Sequence, residues 1–442
     1  MFKHPIFTVH IGALCWQRRG LLAALLLIAG NLVSAQTAPV APRAKAVIQI
    51  WMWGGPSHLD TFDPKPNAGY DYCGPLNKPI PTNVPGITIG EMLPLLAQQA
   101  DKYSIVRSMT HGINGHETAA YMMQTGHEPG VGLVYPSIGA IVSYFKGYNY
   151  GYTGLISPYI VLTESQGRFA EEGFLGPLYK PFATGGDPNQ KVFTVDGVVA
   201  AGISEERQRD RRQLLHALDS LGTAMPFNPE FTELNGCEDK AYELILGDAR
   251  KVFDLAEESA EIRDRYGRNK FGQSCLMARR LVERGVPYVT INYNGWDSHK
   301  QHFESMRQKL PEFDRGLSTL LQDLTERGLL DSTIIWCGGE FGRTPKVDWQ
   351  APWNGGRSHY GNCFSVLLAG GGFKGGRVVG ASDAKGEFVA ERPVYPPDLI
   401  GSIFELLGID PDSSLPNTRG LNLKVMPSSD NAPGRGRLKE IM

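Results

Sequence analysis

The sequence lacks several patterns that would identify a protein class at once. It has six cysteines in 442 residues and no C-x-x-C pair, which excludes a disulfide-rich scaffold and a zinc-finger type of site. It has 44 basic and 46 acidic residues and no block of like charge at either end, so nucleic acid and anionic membranes are not expected as partners. The glycine-rich stretch at 368–376 lacks the G-x-x-x-x-G-K-[ST] order of a nucleotide phosphate loop.

Long hydrophobic runs are also missing. The most apolar stretch, residues 21–33, is too short for a comfortable membrane span. It follows Arg18 and Arg19 and ends at small residues, which predicts an export signal peptide over residues 1–35. The paired arginines leave the twin-arginine route open beside the general secretory route. We expect this segment to contact the export machinery. We expect the mature chain to lack a membrane span and to be periplasmic or secreted.

The remaining sequence predicts one α/β domain. A Pro/Ala-rich linker at 36–45 precedes the domain at 46–427, and a tail follows at 428–442. Amphipathic helical patterns, the longest at 300–328, alternate with continuous apolar runs that are typical of strands buried on both faces. These patterns predict a mostly parallel central sheet covered by helices on both faces. The predicted strands lie at 46–55, 103–109, 159–163, 286–295, 333–339 and 364–372.

Histidines and carboxylates concentrate beside the predicted strand ends, where ligands collect in open α/β sheets. Asp297, His299 and His302 follow one strand within six positions, Glu340 follows the next, and His359 precedes the last. We expect His299 and His302 to share one face of the following helix. Imidazole and carboxylate together suit a divalent metal, zinc first, with manganese, iron, magnesium and calcium as alternatives. The other interpretation is a helix cap at Asp297 beside solvated histidines.

Five long motifs carry a family resemblance: GGPSHLDTFDPKP, RYGRNKFGQSCLMARRLVERGVPYVTINYNGWDSH, RGLLDSTIIWCGGEFGRTPK, GGRSHYGNCFSVLLAGGGFKGG and YPPDLIGSIFELLGID. In this order they resemble an exported bacterial family known as domain of unknown function 1501. That family is similar to the alkaline-phosphatase-like superfamily, which includes sulfatases and phosphodiesterases. The resemblance covers nearly all of the chain after the signal peptide. It implies an alkaline-phosphatase-like three-layer α/β/α sandwich.

The resemblance also implies metal ligands, although the chain departs from the superfamily in its second site. Asp60 stands several residues later than the superfamily's aspartate, and Glu340-Phe341 replaces an Asp-His pair. An imidazole ligand is therefore missing from that pair. The positions that match are Asp297, His302 or His299, and His359 for the first metal. For the second metal, Asp60 and Glu340 are the candidate ligands, and His116 is a candidate to replace the lost imidazole.

The superfamily's nucleophile stands at a helix N-terminus. The chain has no C-x-P-x-R sequence, which excludes a formylglycine sulfatase. The matching position holds His116, and Thr118 two residues later is the candidate nucleophile, with helix capping as its alternative. Arg343 is expected to bind an anionic oxygen pair, with Arg357 as a competitor for that role. His58 is a further candidate for substrate binding.

Two hypotheses for the function follow. The first is an exported metal-dependent hydrolase of phosphate or sulfate esters, with a small-molecule or polysaccharide ester as substrate. The second is a non-catalytic protein of the same fold that binds a surface polysaccharide or a partner protein. The displaced Asp60 and the Glu340-Phe341 pair favour the second hypothesis.

Overall fold

The structure is a computed structural model, and it describes part of the chain. The described residues are 43–130, 132–165, 171–198, 203–218, 242, 246–417, 419–427 and 436–442. The predicted signal peptide, most of the predicted linker and much of the predicted tail lie outside them. Among the described residues, no helix is both long and apolar enough to cross a membrane.

An eight-stranded sheet forms the centre of the described chain, in the order β8-β2-β7-β6-β1-β5-β3-β4. Neighbouring strands are parallel except that β7 is antiparallel to both β2 and β6. All six predicted strands contribute, which confirms the mostly parallel sheet. The strands are β1 Ala46–Trp51, β2 Tyr103–Met109, β3 Tyr159–Leu162, β4 Phe182–Ala183, β5 Tyr288–Asn292, β6 Thr333–Gly338, β7 Phe364–Ala369 and β8 Arg377–Val379.

Helices cover both faces of this sheet. Along β1, Ile48 and Ile50 pack into one apolar cluster with α7 and α8, and Val47 and Trp51 pack into another with α3, α4 and α9. Alternate residues of a strand point to opposite faces, so the predicted three-layer α/β/α arrangement is confirmed. The helices are α1 Tyr70–Cys73, α2 Pro94–Ala97, α3 His116–Thr125, α4 Ile138–Lys146, α5 Glu205–Leu218, α6 Ala260–Tyr266, α7 Lys270–Glu283, α8 His302–Glu326 and α9 Pro396–Leu407.

Helix α8 shows how the apolar pattern determines this packing. Phe303, Met306, Leu310 and Leu317 recur at helical spacing on one face, and all four are buried. Burying a side chain of this size contributes about 1.5–3 kcal/mol. The helix begins at His302, after Gln301 in a left-handed conformation, so the prediction that His299 and His302 share a helix face is wrong.

The chain connections bring several loops to one edge of the sheet. Strands β1, β2, β5 and β6 are parallel, so the loops that follow them meet at the same edge. The segment between β6 and β7 adds a short antiparallel pair in which His359 lies opposite Arg343. The short strand pairs are Ile80–Pro81 with Thr88–Ile89, Gly342–Arg343 with His359–Tyr360, Ala381–Ser382 with Val389–Glu391, and Ser414–Leu415 with Leu423–Lys424.

Candidate metal centre

Three imidazoles and one carboxylate converge at this edge, and we call them the Asp297 cluster: His116, Asp297, His299 and His359. His116 is the first residue of α3, Asp297 and His299 follow β5, and His359 lies before β7. The Nε2 atoms of His299 and His359 each lie 3.1 Å from Oδ1 of Asp297, and 2.9 Å from one another. His116 Nε2 lies 3.3 Å from the other carboxylate oxygen. Elements from three parts of the chain therefore build one centre.

The donor set and its spacing fit a divalent cation. His116, Asp297 and His359 offer ligand atoms that all lie within 4.8 Å of one another. Tetrahedral zinc with bonds of about 2.1 Å places neighbouring ligand atoms about 3.4 Å apart, which is close to the separations around Asp297. Three nitrogen ligands and a carboxylate are a zinc type of donor set. The Asp297 side chain is 39% exposed, so the centre is open to solvent.

Two acceptors behind the cluster, a buried carboxylate and a backbone carbonyl, fix the orientation of two imidazoles. Glu340 is fully buried, and its Oε1 lies 2.6 Å from Nδ1 of His116 and accepts the Gly54 N–H at 3.0 Å. The carbonyl oxygen of Asn114 lies 2.8 Å from Nδ1 of His359. Because both partner oxygens accept, each Nδ1 carries a proton, and Nε2 is the atom that each ring directs to the carboxylate and that would bind a cation once it is deprotonated. Histidine ligands of metals are held in this way.

Electrostatics keep the central carboxylate charged. Burial alone would raise the pKa of Asp297, but the charge of Arg343 and then the neighbouring imidazoles outweigh it and lower that pKa. The hydrogen bond to Glu340 raises the pKa of His116. Burial lowers the pKa of His299 against the attraction of Asp297. Thus the cluster presents an anionic ligand, while His116 retains a proton more readily than an isolated imidazole.

Arg343 lies inside the protein behind Asp297. It is fully buried and donates to Oδ1 of Asp297, to the Arg357 carbonyl at 3.1 Å and to the Gly55 carbonyl at 3.4 Å. Burial lowers its pKa to about 10. The guanidinium of Arg343 is thus directed to the carboxylate of Asp297, and its expected binding of an anionic oxygen pair stays a prediction.

Asp60, His302 and Arg357 form a separate buried group, which we call the Asp60 triad. Asp60 Oδ2 lies 2.9 Å from His302 Nε2 and 3.1 Å from Arg357 Nε. Burial would raise the pKa of Asp60, but the Arg357 charge and the His302 hydrogen bond outweigh it and hold that pKa at about 2. His302 directs its other nitrogen to Ser298 Oγ at 2.6 Å. Asp60 and His302 were predicted to be metal ligands. In the structure they contact each other, and neither belongs to the group of possible metal ligands around Asp297.

Two other predicted residues also make contacts of their own. Thr118 is exposed in the first turn of α3, and its hydroxyl donates to the carbonyl of Gly115, the N-cap residue of that helix, at 3.1 Å. His58 is fully buried and donates from Nε2 to the Gly386 carbonyl at 2.8 Å. Thr118, two positions after His116, is therefore accessible to solvent, whereas His58 is enclosed by the protein.

The sequence interpretation missed the residues that support the cluster from behind. Asn114 and Ser298 lie beside predicted site residues in the sequence, but their polar contacts depend on the fold. Trp53 stacks on the ring of His116 with centroids 5.5 Å apart, and Phe341 lies against the same ring at 5.1 Å. The only sequence signal for Trp53 is its position two residues after β1.

Comparisons with known proteins give one family match. Residues 44–432 match the family described as "Protein of unknown function (DUF1501)". No curated protein matches the chain.

Several solved structures are similar to the chain at low levels. A protein in the alkaline phosphatase superfamily from Vibrio parahaemolyticus is 11% identical, with a TM-score of 0.38 over 84% of this chain and 67% of that chain. PsFucS1 sulfatase from Pseudoalteromonas sp. is 15% identical, with a TM-score of 0.34 over 90% and 72%. The phosphonate monoester hydrolase SpPMH from Silicibacter pomeroyi is 11% identical, with a TM-score of 0.33 over 87% and 78%.

Proposed function

The chain belongs to the DUF1501 family, and we propose that it is an exported metal-dependent hydrolase of phosphate or sulfate esters. The observation that supports this proposal is the convergence of three imidazole Nε2 atoms on one solvent-exposed carboxylate. Two of these imidazoles are oriented by acceptors behind them, the buried carboxylate of Glu340 and the backbone carbonyl of Asn114. The ester class of substrate follows from the sequence resemblance to the alkaline-phosphatase-like superfamily.

Each residue of the cluster has a role in this proposal. Asp297, His116, His299 and His359 would hold the cation, which would supply Lewis-acid catalysis by polarising an ester oxygen and lowering the pKa of water. Glu340 holds His116 in the tautomer that a ligand needs.

The first turn of α3 would bind the substrate anion. The positive end of a helix dipole favours an anionic ester group there. Thr118 in this turn is the proposed nucleophile, provided that its hydroxyl turns from the Gly115 carbonyl toward the substrate. Arg357 and His58 are fully buried, so we assign no substrate contact to them.

A second function is favoured by one contact. Arg343 donates directly to the carboxylate of Asp297, and a guanidinium in this position already balances the charge that a cation would balance. If this ion pair persists in solution, the same surface would belong to a metal-free protein that binds a polysaccharide or a partner protein.

Metal content and activity distinguish the two functions. We would measure bound metal by elemental analysis and hydrolysis of aryl phosphates, phosphodiesters and aryl sulfates, using the wild type, His359→Ala and His216→Ala. His216 is an exposed histidine on α5, so its replacement is the matched control. The proposal expects metal and hydrolysis in the wild type and the control, and loss of both in His359→Ala. A wild-type protein with neither metal nor hydrolysis supports the binding function.

A further inference from the structure

The Asp60 triad carries charges that the proposed chemistry does not use. Asp60, His302 and Arg357 are 2%, 0% and 0% exposed. Charged groups at such depth are expensive to desolvate, and a buried ion pair is weak evidence for stability. A role in positioning other groups would explain the triad.

The hydrogen bonds of His302 and Arg357 leave them little capacity to bind a ligand. Both ring nitrogens of His302 are used, one by Asp60 and one by Ser298. The Arg357 guanidinium donates to the carbonyl oxygens of Thr344 at 2.9 Å and Tyr72 at 2.6 Å. No lone pair of His302 is therefore free for a cation, and Arg357 is turned toward the backbone.

The same residues connect two of the three segments that bear the cluster. Ser298 lies between Asp297 and His299, and its side chain is held by His302. The backbone N–H of Arg357 donates to the Ser298 carbonyl at 3.3 Å, and Arg357 precedes His359 by two positions. The loop after β1, through Asp60, thus joins both segments from behind.

We propose that the Asp60 triad positions the Asp297 cluster for one cation and contributes no ligand to it. The inference rests on the proposed metal-dependent function. Segments 297–299 and 357–359 come from different loops, so their spacing must be set before a cation binds if affinity is to be high. The triad supplies a rigid, buried connection between them.

The test uses zinc alone as the probe and two mild substitutions. Ser298→Ala removes the hydroxyl that meets His302, and His302→Gln tests the ring contact with the same hydroxyl. Ser318→Ala on α8 is the matched control, because Ser318 is also buried and its hydroxyl also bonds within the protein. Zinc affinity is measured by chelator competition. Thermal melting of the metal-free protein shows whether each variant is folded. The visible spectrum of the cobalt-substituted protein reports which ligands hold the metal.

We expect Ser298→Ala and His302→Gln to lose about 10–100-fold in zinc affinity and to keep the wild-type cobalt spectrum. The control, Ser318→Ala, should bind zinc with wild-type affinity. Ser298→Thr, which restores a hydroxyl, should recover affinity. Wild-type affinity in Ser298→Ala and His302→Gln would overturn the inference while leaving the proposed function intact. An altered cobalt spectrum in His302→Gln would overturn it too, because it would make His302 a ligand. A wild-type protein that binds no zinc would overturn the proposed function as well.

Discussion

Replacing Glu340 by glutamine tests whether a buried charge supports the Asp297 cluster. Glu340 is fully buried, and its Oε1 meets Nδ1 of His116 at 2.6 Å. Glutamine keeps an oxygen acceptor of similar shape but loses the charge. A charge-assisted hydrogen bond contributes about 1.5–3 kcal/mol and a neutral one about 1 kcal/mol. The difference of about 0.5–2 kcal/mol corresponds to roughly 2–30-fold weaker zinc binding.

The assay is zinc competition with a chelator at pH 8, which limits competition from the proton that Glu340 stabilises on His116. The pKa of His116, followed by NMR in the metal-free protein, should fall in Glu340→Gln because the hydrogen bond to Glu340 is the main cause that raises it. Glu258→Gln is the control: Glu258 pairs with buried Arg279 and Arg280, so this variant should lose stability but keep its zinc affinity. Unchanged zinc affinity in Glu340→Gln would refute the reasoning.

Three further predictions concern stability and charge. Burial raises the pKa of Asp314 to about 6, so its contribution to stability is complete only below its unfolded-state pKa of about 4 and is lost as the pH rises through 6. Urea unfolding should show the wild type losing about 2 kcal/mol relative to Asp314→Asn between pH 4 and 7. A constant difference would contradict this. Gly54→Ala should lower the melting temperature far more than Gly86→Ala. Both glycines have a positive φ, but a Cβ at Gly54 would lie 2.2 Å from the Asp297 nitrogen, whereas a Cβ at Gly86 would meet nothing within 4 Å. Equal shifts in melting temperature would contradict the close approach at Gly54. Arg343→Gln should raise zinc affinity about tenfold in a calorimetric titration by removing a competing cation, and unchanged or weaker binding would show that Arg343 does not compete.

The framework of the fold could be predicted from local patterns. Continuous apolar runs ending at glycine or polar residues predict strands buried on both faces, and all six predicted strands lie in the sheet. The two apolar faces of Ala46–Trp51 pack against different helices. Asp297 and His359 are predicted to lie at the ligand-binding edge of the sheet, because both are beside strand ends in the sequence. In the structure, Nε2 of His359 lies 3.1 Å from Oδ1 of Asp297.

The partners of His302 could not be predicted locally. Its spacing from His299 predicted a shared helix face, but Gln301 has a φ of 48° and α8 begins only at the next residue. His302 therefore turns inward, where it meets Asp60, 242 positions earlier in the chain. Glu340 likewise contacts His116 across 224 positions. Such contacts depend on tertiary packing, for which the sequence contains no periodic signal.

Anomalous diffraction at the zinc absorption edge, from crystals of the zinc-loaded protein, tests the central claim most directly. We predict a peak about 2.0–2.2 Å from a carboxylate oxygen of Asp297 and from Nε2 of His116, His299 and His359, with Arg343 displaced from that oxygen. A peak bound by Asp60 and His302, or no peak while Arg343 stays on Asp297, would contradict the account.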